Sequence, residues 1–185
     1  MSNISSLKYN FHTTASQLVG ELVSTIKGKV ILTTGVSSPG LGAHFVQAIA
    51  VAQPALLILT GRNSKKSQQT ANAINKINSN IKTRVLNLDL SSLKSVRDGA
   101  AEVMSWEDVP VIDVLVNNAG IMAVDYAVSP EGHELHFATN HLGHFLFTNL
   151  IVSKILAASE PRIVSVSSDG HRWSPIRFGD YGFSV

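Results

Sequence analysis

The sequence predicts an α/β protein of three layers: a doubly wound parallel sheet of about five strands, incomplete at one side, with helices on both faces and one extra N-terminal helix. Three observations lead there. Five short apolar runs are continuous rather than alternating, as strands buried on both faces are. The segments between them place apolar residues at helical spacing. Strand and helix alternate at intervals that suit right-handed βαβ crossovers. With 185 residues, 44% hydrophobic and 15% charged, the chain fits one domain with a substantial core and not a disordered polymer.

The elements follow in order. Residues 1–13 are polar and expected to be loose. Residues 14–27 read as one amphipathic helix, with Thr14 and Gln17 at capping-box spacing and Leu18, Val19, Leu22, Val23 and Ile26 on one side. From Lys29 the alternation begins. Strands are expected at 30–34, 55–59, 85–88, 111–116 and 162–166. Helices are expected at 41–52, stopped by Pro54, then at 65–79, from 93 to about 103 with Ser91 or Ser92 as cap, and over a long stretch from 132 to 158. Residues 1–28 form an extension and residues 29–185 the α/β domain. Ligands of such sheets bind at the carboxyl ends of the strands, where strand order reverses. Functional residues are therefore sought just after each strand.

Several classes are disfavoured. There is no Cys, which removes disulfides, thiolate metal sites and Cys nucleophiles. Fifteen basic residues against thirteen acidic ones, scattered along the chain, give no basic stripe, so no nucleic-acid partner is expected. No apolar run reaches the roughly 18 residues that span a bilayer, and no basic leader precedes an apolar stretch. The expected location is the cytoplasm. His133, His136, His141 and His144 share one helical stretch, but without an H-E-x-x-H pattern they are not expected to hold metal. Ser168, Asp169 and His171 lie too close in sequence for a hydrolase triad, and no G-x-S-x-G elbow exists.

The first strand ends in Thr34-Gly35-Val36-Ser37-Ser38-Pro39-Gly40-Leu41-Gly42. A helix starting there offers free N–H groups and a positive dipole end to a phosphate. A Walker loop is excluded, because Leu41 and Gly42 stand where Lys and Ser/Thr are needed. The G-x-G-x-x-G fingerprint is absent as written. The string is similar to T-G-x-x-x-G-x-G, with four residues instead of three between Gly35 and Gly40. A plain strand-to-helix turn would also account for the glycines.

Three further strand ends carry suitable chemistry. The second closes in Thr60-Gly61-Arg62-Asn63, without the acid that NAD-preferring folds place there for the ribose hydroxyl. The Arg62 guanidinium suits a 2′-phosphate instead, which favours NADP(H) over NAD(H). The third ends in Asn87-Leu88-Asp89-Leu90. The Asp89 carboxylate could accept from an adenine amine, or cap the next helix. The fourth ends in Asn117-Asn118-Ala119-Gly120, two amides and two small residues that let a ribose pass over backbone.

With the strings N-N-A-G-I-M (117–122), F-A-T-N-H-L-G-H-F (137–145) and R-I-V-S-V-S-S-D-G-H (162–171), the chain resembles the short-chain dehydrogenase/reductase family. Within it the likeness is to the retinol dehydrogenase-like and WW-domain-oxidoreductase-like branch, from about Lys29 onward. Residues 1–28 are similar to the N-terminal helix of fungal-type members. The resemblance implies a Rossmann fold, NADP(H) as cofactor, and a small-molecule alcohol or carbonyl substrate. It implies cofactor contacts from Gly35, Ser37, Ser38, Gly40, Leu41 and Gly42 in the first loop. The other implied contacts are Arg62, Asn63, Asp89 and Leu90, then Asn118, Ala119 and Gly120. It places Asn140 as holder of a proton-relay water and Ser168 as hydrogen-bond donor to the substrate carbonyl.

The family's acid/base pair is Tyr-x-x-x-Lys. Tyr9, Tyr126 and Tyr181 are followed at the fourth position by Thr13, Pro130 and Val185, so none matches. Tyr181 is read as a loop tyrosine. The chain is therefore expected to be an N-terminal fragment with little turnover, or a non-enzymatic NADP-binding remnant or interaction module. Without the family's next helix, Phe145, Leu146 or Leu150 should face water and the fifth strand should be an unprotected edge. Self-association through the 132–158 helix and that strand is expected.

Overall fold

The computed structural model describes residues 9–10 and 12–183. The polar leader expected at 1–13 lies mostly outside the described residues. The elements are α1 (Ala15–Glu21), α2 (Val23–Ile26), β1 (Val30–Thr34), α3 (Leu41–Ala50), β2 (Leu56–Gly61), α4 (Ser64–Ile77), β3 (Thr83–Asn87), α5 (Leu93–Ser105), β4 (Val114–Asn117), α6 (Leu135–Phe137), a π-helical turn (Ala138–Leu142), α7 (Gly143–Leu156) and β5 (Arg162–Ser165). A 3-10 turn at Asp169–Arg172 follows. All strand pairings are parallel, in the order β3-β2-β1-β4-β5. The order reverses between β1 and β4, and that reversal locates the ligand crevice.

The apolar runs divide by strand parity. Leu32, Ile58, Leu86 and Leu115 point to one side, against Val96, Ala100 and Val103 of α5 and Phe147, Ile151 and Ile155 of α7. Ile31, Leu57, Leu59 and Val116 point to the other, against Val46, Ile49 and Ala50 of α3 and Ala71 and Ile74 of α4. Full burial of each such side chain contributes roughly 1.5–3 kcal/mol. The two cores explain why the strands lack alternation: each residue has a buried side to face.

Three elements depart from the sequence reading. The helix expected at 14–27 is broken at Leu22. The capping box of Thr14 and Gln17 starts it, but the Thr25 hydroxyl takes the Leu22 carbonyl (2.8 Å) and competes with the helical ladder. Only Val19 of that face is buried, and it packs against the α3–α4 side of the sheet. The fourth strand starts at Val114, not 111. Ile112 N–H donates to the Lys154 carbonyl, and Asp113 turns its carboxylate to Val30 N–H (2.8 Å), so the ladder begins one residue later. The long helix of 132–158 begins only at Leu135, since Gly132 takes φ +86° in a turn that joins Ser129 to His133. It then widens into the π turn, where Gly143 N–H donates to the Ala138 carbonyl five residues back.

The fifth strand is bare. All four of its residues are exposed, and Ile163, Val164 and the following Val166 each keep about half their surface in solvent. Phe145 is 62% exposed and Leu150 37%, as expected of them. Leu146 is the exception, half-buried against the α5–α7 core. Among the described residues, no helix is long and apolar enough to cross a membrane.

Candidate functional site

A cleft of about 380 Å³ lies at the carboxyl ends of β1, β2, β3 and β4, within the size range of ligand sites. It brings together Gly35, Ser37, Gly40 and Leu41 from the first loop, Arg62 from the second, and Asp89 and Leu90 from the third. Asn118, Ala119 and Gly120 line it from the fourth. Five other residues named from sequence do not line it: Asn140 and Ser168, described below, and three of the implied cofactor contacts. Ser38 stands exposed on the loop. Gly42 is buried behind it, where a Cβ would strike the Asn118 amide. Asn63 caps α4 through its side chain, accepting from Lys66 N–H (3.1 Å).

The first loop is built by contact. Gly35 has φ +71°, and a Cβ there would lie 2.7 Å from Ala119 Cα and 2.8 Å from Ala119 Cβ. Glycine thus serves both the turn and the close approach of the β4 loop. The loop then turns over Ser37–Gly40, closed by Gly40 N–H donating to the Ser37 carbonyl (2.8 Å). The Asn118 side-chain amide donates to the Thr34 and Gly35 carbonyls (2.8 and 3.1 Å).

The start of α3 differs from its neighbours. Side chains of Thr14, Asn63 and Ser92 cap α1, α4 and α5. At α3 the cap is Gly40, with no side-chain acceptor. The first N–H groups of α3 are left for an external anion, with the positive end of the helix dipole behind them. Two buried hydroxyls in the cleft wall, Thr60 Oγ1 and Thr139 Oγ1, also have no partner. Unpartnered buried polar groups of this kind call for a ligand or water. These donors, with the exposed Arg62 at the rim, fit a phosphate-rich dinucleotide.

Asp89 serves partly as a local cap: its Oδ1 accepts from Ser91 N–H (3.0 Å) and Ser91 Oγ (2.6 Å). Ser168 caps the 3-10 turn after β5, its hydroxyl accepting from Gly170 N–H (3.1 Å), and it is exposed. Asn140 sits in the π turn. Its side chain pairs with the Ile121 backbone in both directions, Oδ1 accepting from N–H (2.8 Å) and Nδ2 donating to the carbonyl (2.9 Å). Tyr181 packs its ring on Phe137, 5.4 Å between centroids, in a hollow that shares no lining residue with the cleft. The four histidines diverge. His136 pairs with Glu134, His141 stacks on Phe137, and His144 is buried inward. Among the described residues no group of three metal-ligating side chains forms.

Sequence reasoning missed Thr34, His144, Thr139 and Ile121. Thr34 was in the quoted loop string, as the residue before its first glycine. The other three carry no local signal: His144 and Ile121 are defined by partners distant in sequence, Thr34 and Asn140, and Thr139 by its place in the cleft wall.

The short-chain dehydrogenase family model matches residues 29–184. The chain belongs to the short-chain dehydrogenase family. It is 38% identical over 176 residues to oxidoreductase fscI of Fusarium equiseti, covering 92% of this chain and 67% of that one. It is 36% identical over 162 residues to retinol dehydrogenase 13 of Homo sapiens, covering 88% and 48%. The chain thus spans about half the length of the retinol dehydrogenase and two thirds of the fungal oxidoreductase. Among solved structures, an uncharacterised protein from Mycobacterium paratuberculosis matches with TM-score 0.68 and 32% identity, over 88% of this chain and 55% of that one. A metagenomic short-chain oxidoreductase solved in complex with NADP shares the fold, with TM-score 0.63 and 24% identity over 78% and 64%. This short-chain dehydrogenase is retinol dehydrogenase-like in sequence and Rossmann-like in fold.

Proposed function

We propose that the chain is the nucleotide-binding part of an NADP(H)-dependent oxidoreductase that interconverts a small-molecule alcohol and its carbonyl. The uncapped start of α3 carries the reading: unlike the N-termini of α1, α4 and α5 it has no side-chain acceptor, and it opens on the cleft. Its N–H groups hold the pyrophosphate. Arg62 grips the 2′-phosphate, and the absence of an acid at the end of β2 removes a repulsive charge. Asp89 keeps its second carboxylate oxygen for an adenine amine. NADP(H), when bound, supplies or takes up the hydride.

Ser168 uses its oxygen as acceptor from Gly170. Its own proton remains available to a substrate carbonyl. The side chain of Asn140 is held by Ile121, so its part falls to the main-chain carbonyl, whose second lone pair can hold a water. No Tyr-x-x-x-Lys is present. A general acid contributes about 10²–10⁴-fold, so turnover by this chain is small. Fluorescence titration tests the reading: NADPH should bind at least tenfold more tightly than NADH, as one charge-assisted contact allows. No binding of either nucleotide would refute it.

A second reading is a non-enzymatic NADP-binding module that pairs with itself. The bare β5 edge, with Ile163, Val164, Val166 and Phe145 in solvent, favours it. Light scattering across a concentration series should then show association. A monomer at all concentrations refutes this second reading alone.

A further inference from the structure

His144 is buried at the first turn of α7, with 7% of its surface exposed. Its Nε2 lies 2.9 Å from Thr34 Oγ1, and its Nδ1 lies 3.3 Å from the Asn140 carbonyl. A carbonyl only accepts, so the ring proton belongs on Nδ1. Nε2 is then an acceptor, and the Thr34 hydroxyl must donate to it. The Thr34 oxygen in turn accepts from Asn118 N–H (2.9 Å) and Ala119 N–H (3.0 Å). A hydroxyl has one proton and two lone pairs, so every bonding direction of Thr34 is assigned. The only other acceptor for its proton is the Val116 carbonyl, at 3.4 Å.

Thr34 ends β1 and precedes the Gly35 turn, while Asn118 and Ala119 begin the loop after β4. Those two loops face each other across the reversal in strand order, and their backbones meet so closely that no Cβ fits at Gly35. We infer that His144 is a positioning residue for the nucleotide cleft: by receiving the Thr34 proton it aims the Thr34 lone pairs at the β4 loop and fixes the spacing of the cleft's two central walls. His144 does not line that cleft and acts only through Thr34. The inference rests on the reading of the cleft as a dinucleotide site. Around the imidazole, β1, β4 and β5 present Thr34, Asn117 and Ser165, all uncharged, and the titratable neighbour is His141 on the preceding turn. Protonation of His144 removes the acceptor and releases Thr34.

The test uses the full chain and four variants: His144→Phe, which keeps ring volume without an acceptor, His144→Gln, which restores an acceptor, Thr34→Val, and the Phe/Val double variant. NADPH affinity is measured by fluorescence titration at pH 7.5 and 5.5, and ¹⁵N NMR reads the His144 tautomer in the unliganded wild type. The expected tautomer is Nδ1–H. His144→Phe and Thr34→Val should each weaken NADPH binding by about tenfold, the scale of one hydrogen bond. The double variant should be no weaker than either, and His144→Gln should recover most of the loss. Acid should weaken binding more in the wild type than in His144→Phe. An Nε2–H tautomer, unchanged affinity in His144→Phe, or additive losses would overturn the inference. If the wild type binds no dinucleotide, the proposed function fails, and the tautomer together with a double-mutant cycle on urea stability still decides the His144–Thr34 link. A variant that does not fold leaves the wild-type tautomer as the deciding measurement.

Discussion

Replacing Gly35 by Ala should destabilise the protein more than the same change at Gly28, and the difference measures the contact between the two central loops. Both glycines have positive φ, +71° at Gly35 and +75° at Gly28. An L-residue there costs roughly 1–2 kcal/mol, and the lost freedom of the unfolded chain offsets about 0.4–1 kcal/mol at either position. These two contributions cancel in the comparison. The surroundings do not. A Cβ at Gly28 meets nothing within 4 Å, whereas one at Gly35 lies 2.7 Å from Ala119 Cα, 2.8 Å from its Cβ and 3.2 Å from its nitrogen. Those atoms are backbone or fixed to it, so relief requires moving the β4 loop, at about 1–3 kcal/mol. Gly35→Ala should therefore lose about 1–3 kcal/mol beyond Gly28→Ala. Urea denaturation reads this as a midpoint shift of roughly 0.5–1.5 M for a slope near 2 kcal/mol/M. Equal midpoints for the two variants would mean that the β1 and β4 loops do not touch, and the construction of the cleft would be wrong.

Four other outcomes are expected. Arg62→Ala should lower NADPH affinity about tenfold or more and leave NADH affinity unchanged, because one charge-assisted contact is lost; nucleotide titration checks it. Burial holds the His144 pKa below its usual value, outweighing the bond to the Asn140 carbonyl. The unfolded chain therefore takes up this proton first, and stability should be full above about pH 6.5 and decline as pH falls below it toward the folded-state value; His144→Phe should flatten that limb in urea titrations. Lys154→Met should cost about 1–3 kcal/mol, since the amine donates to the Trp106 and Val109 carbonyls (both 2.6 Å) in the segment that follows α5; thermal unfolding reads the loss. Val164→Lys should reduce association of the chain in light scattering by charging the β5 edge.

Much of the fold was legible because it is written in local periods. Continuous runs such as Leu56–Leu59 mark doubly buried strands, and Ser92 and Thr14 act as the caps their spacing suggests. Helix continuity was less legible. The stretch from Gly132 to Ala158 keeps one apolar pattern, yet its regularity is interrupted by a turn at Gly132 and by Asn140, whose amide binds Ile121 nineteen residues away. Among the candidate site residues, those at strand ends were found by position. Ser38, Gly42 and Asn63 were grouped with them by motif membership, although one is exposed on the loop, one packs behind the cleft and one caps a helix.

By itself the sequence determined the layers, the strand ends that line the cleft, and the absence of an acid beside Arg62, because burial period and side-chain charge are properties of neighbouring residues. Only the tertiary structure decided that Thr34 is satisfied by His144, 110 residues later, that the uncapped α3 N-terminus opens on the cleft, and which apolar side chains of α7 and β5 remain in water. Those depend on which surfaces come together across the sheet, and a hydrogen bond or a bare edge exists only once its partners have been placed or left out.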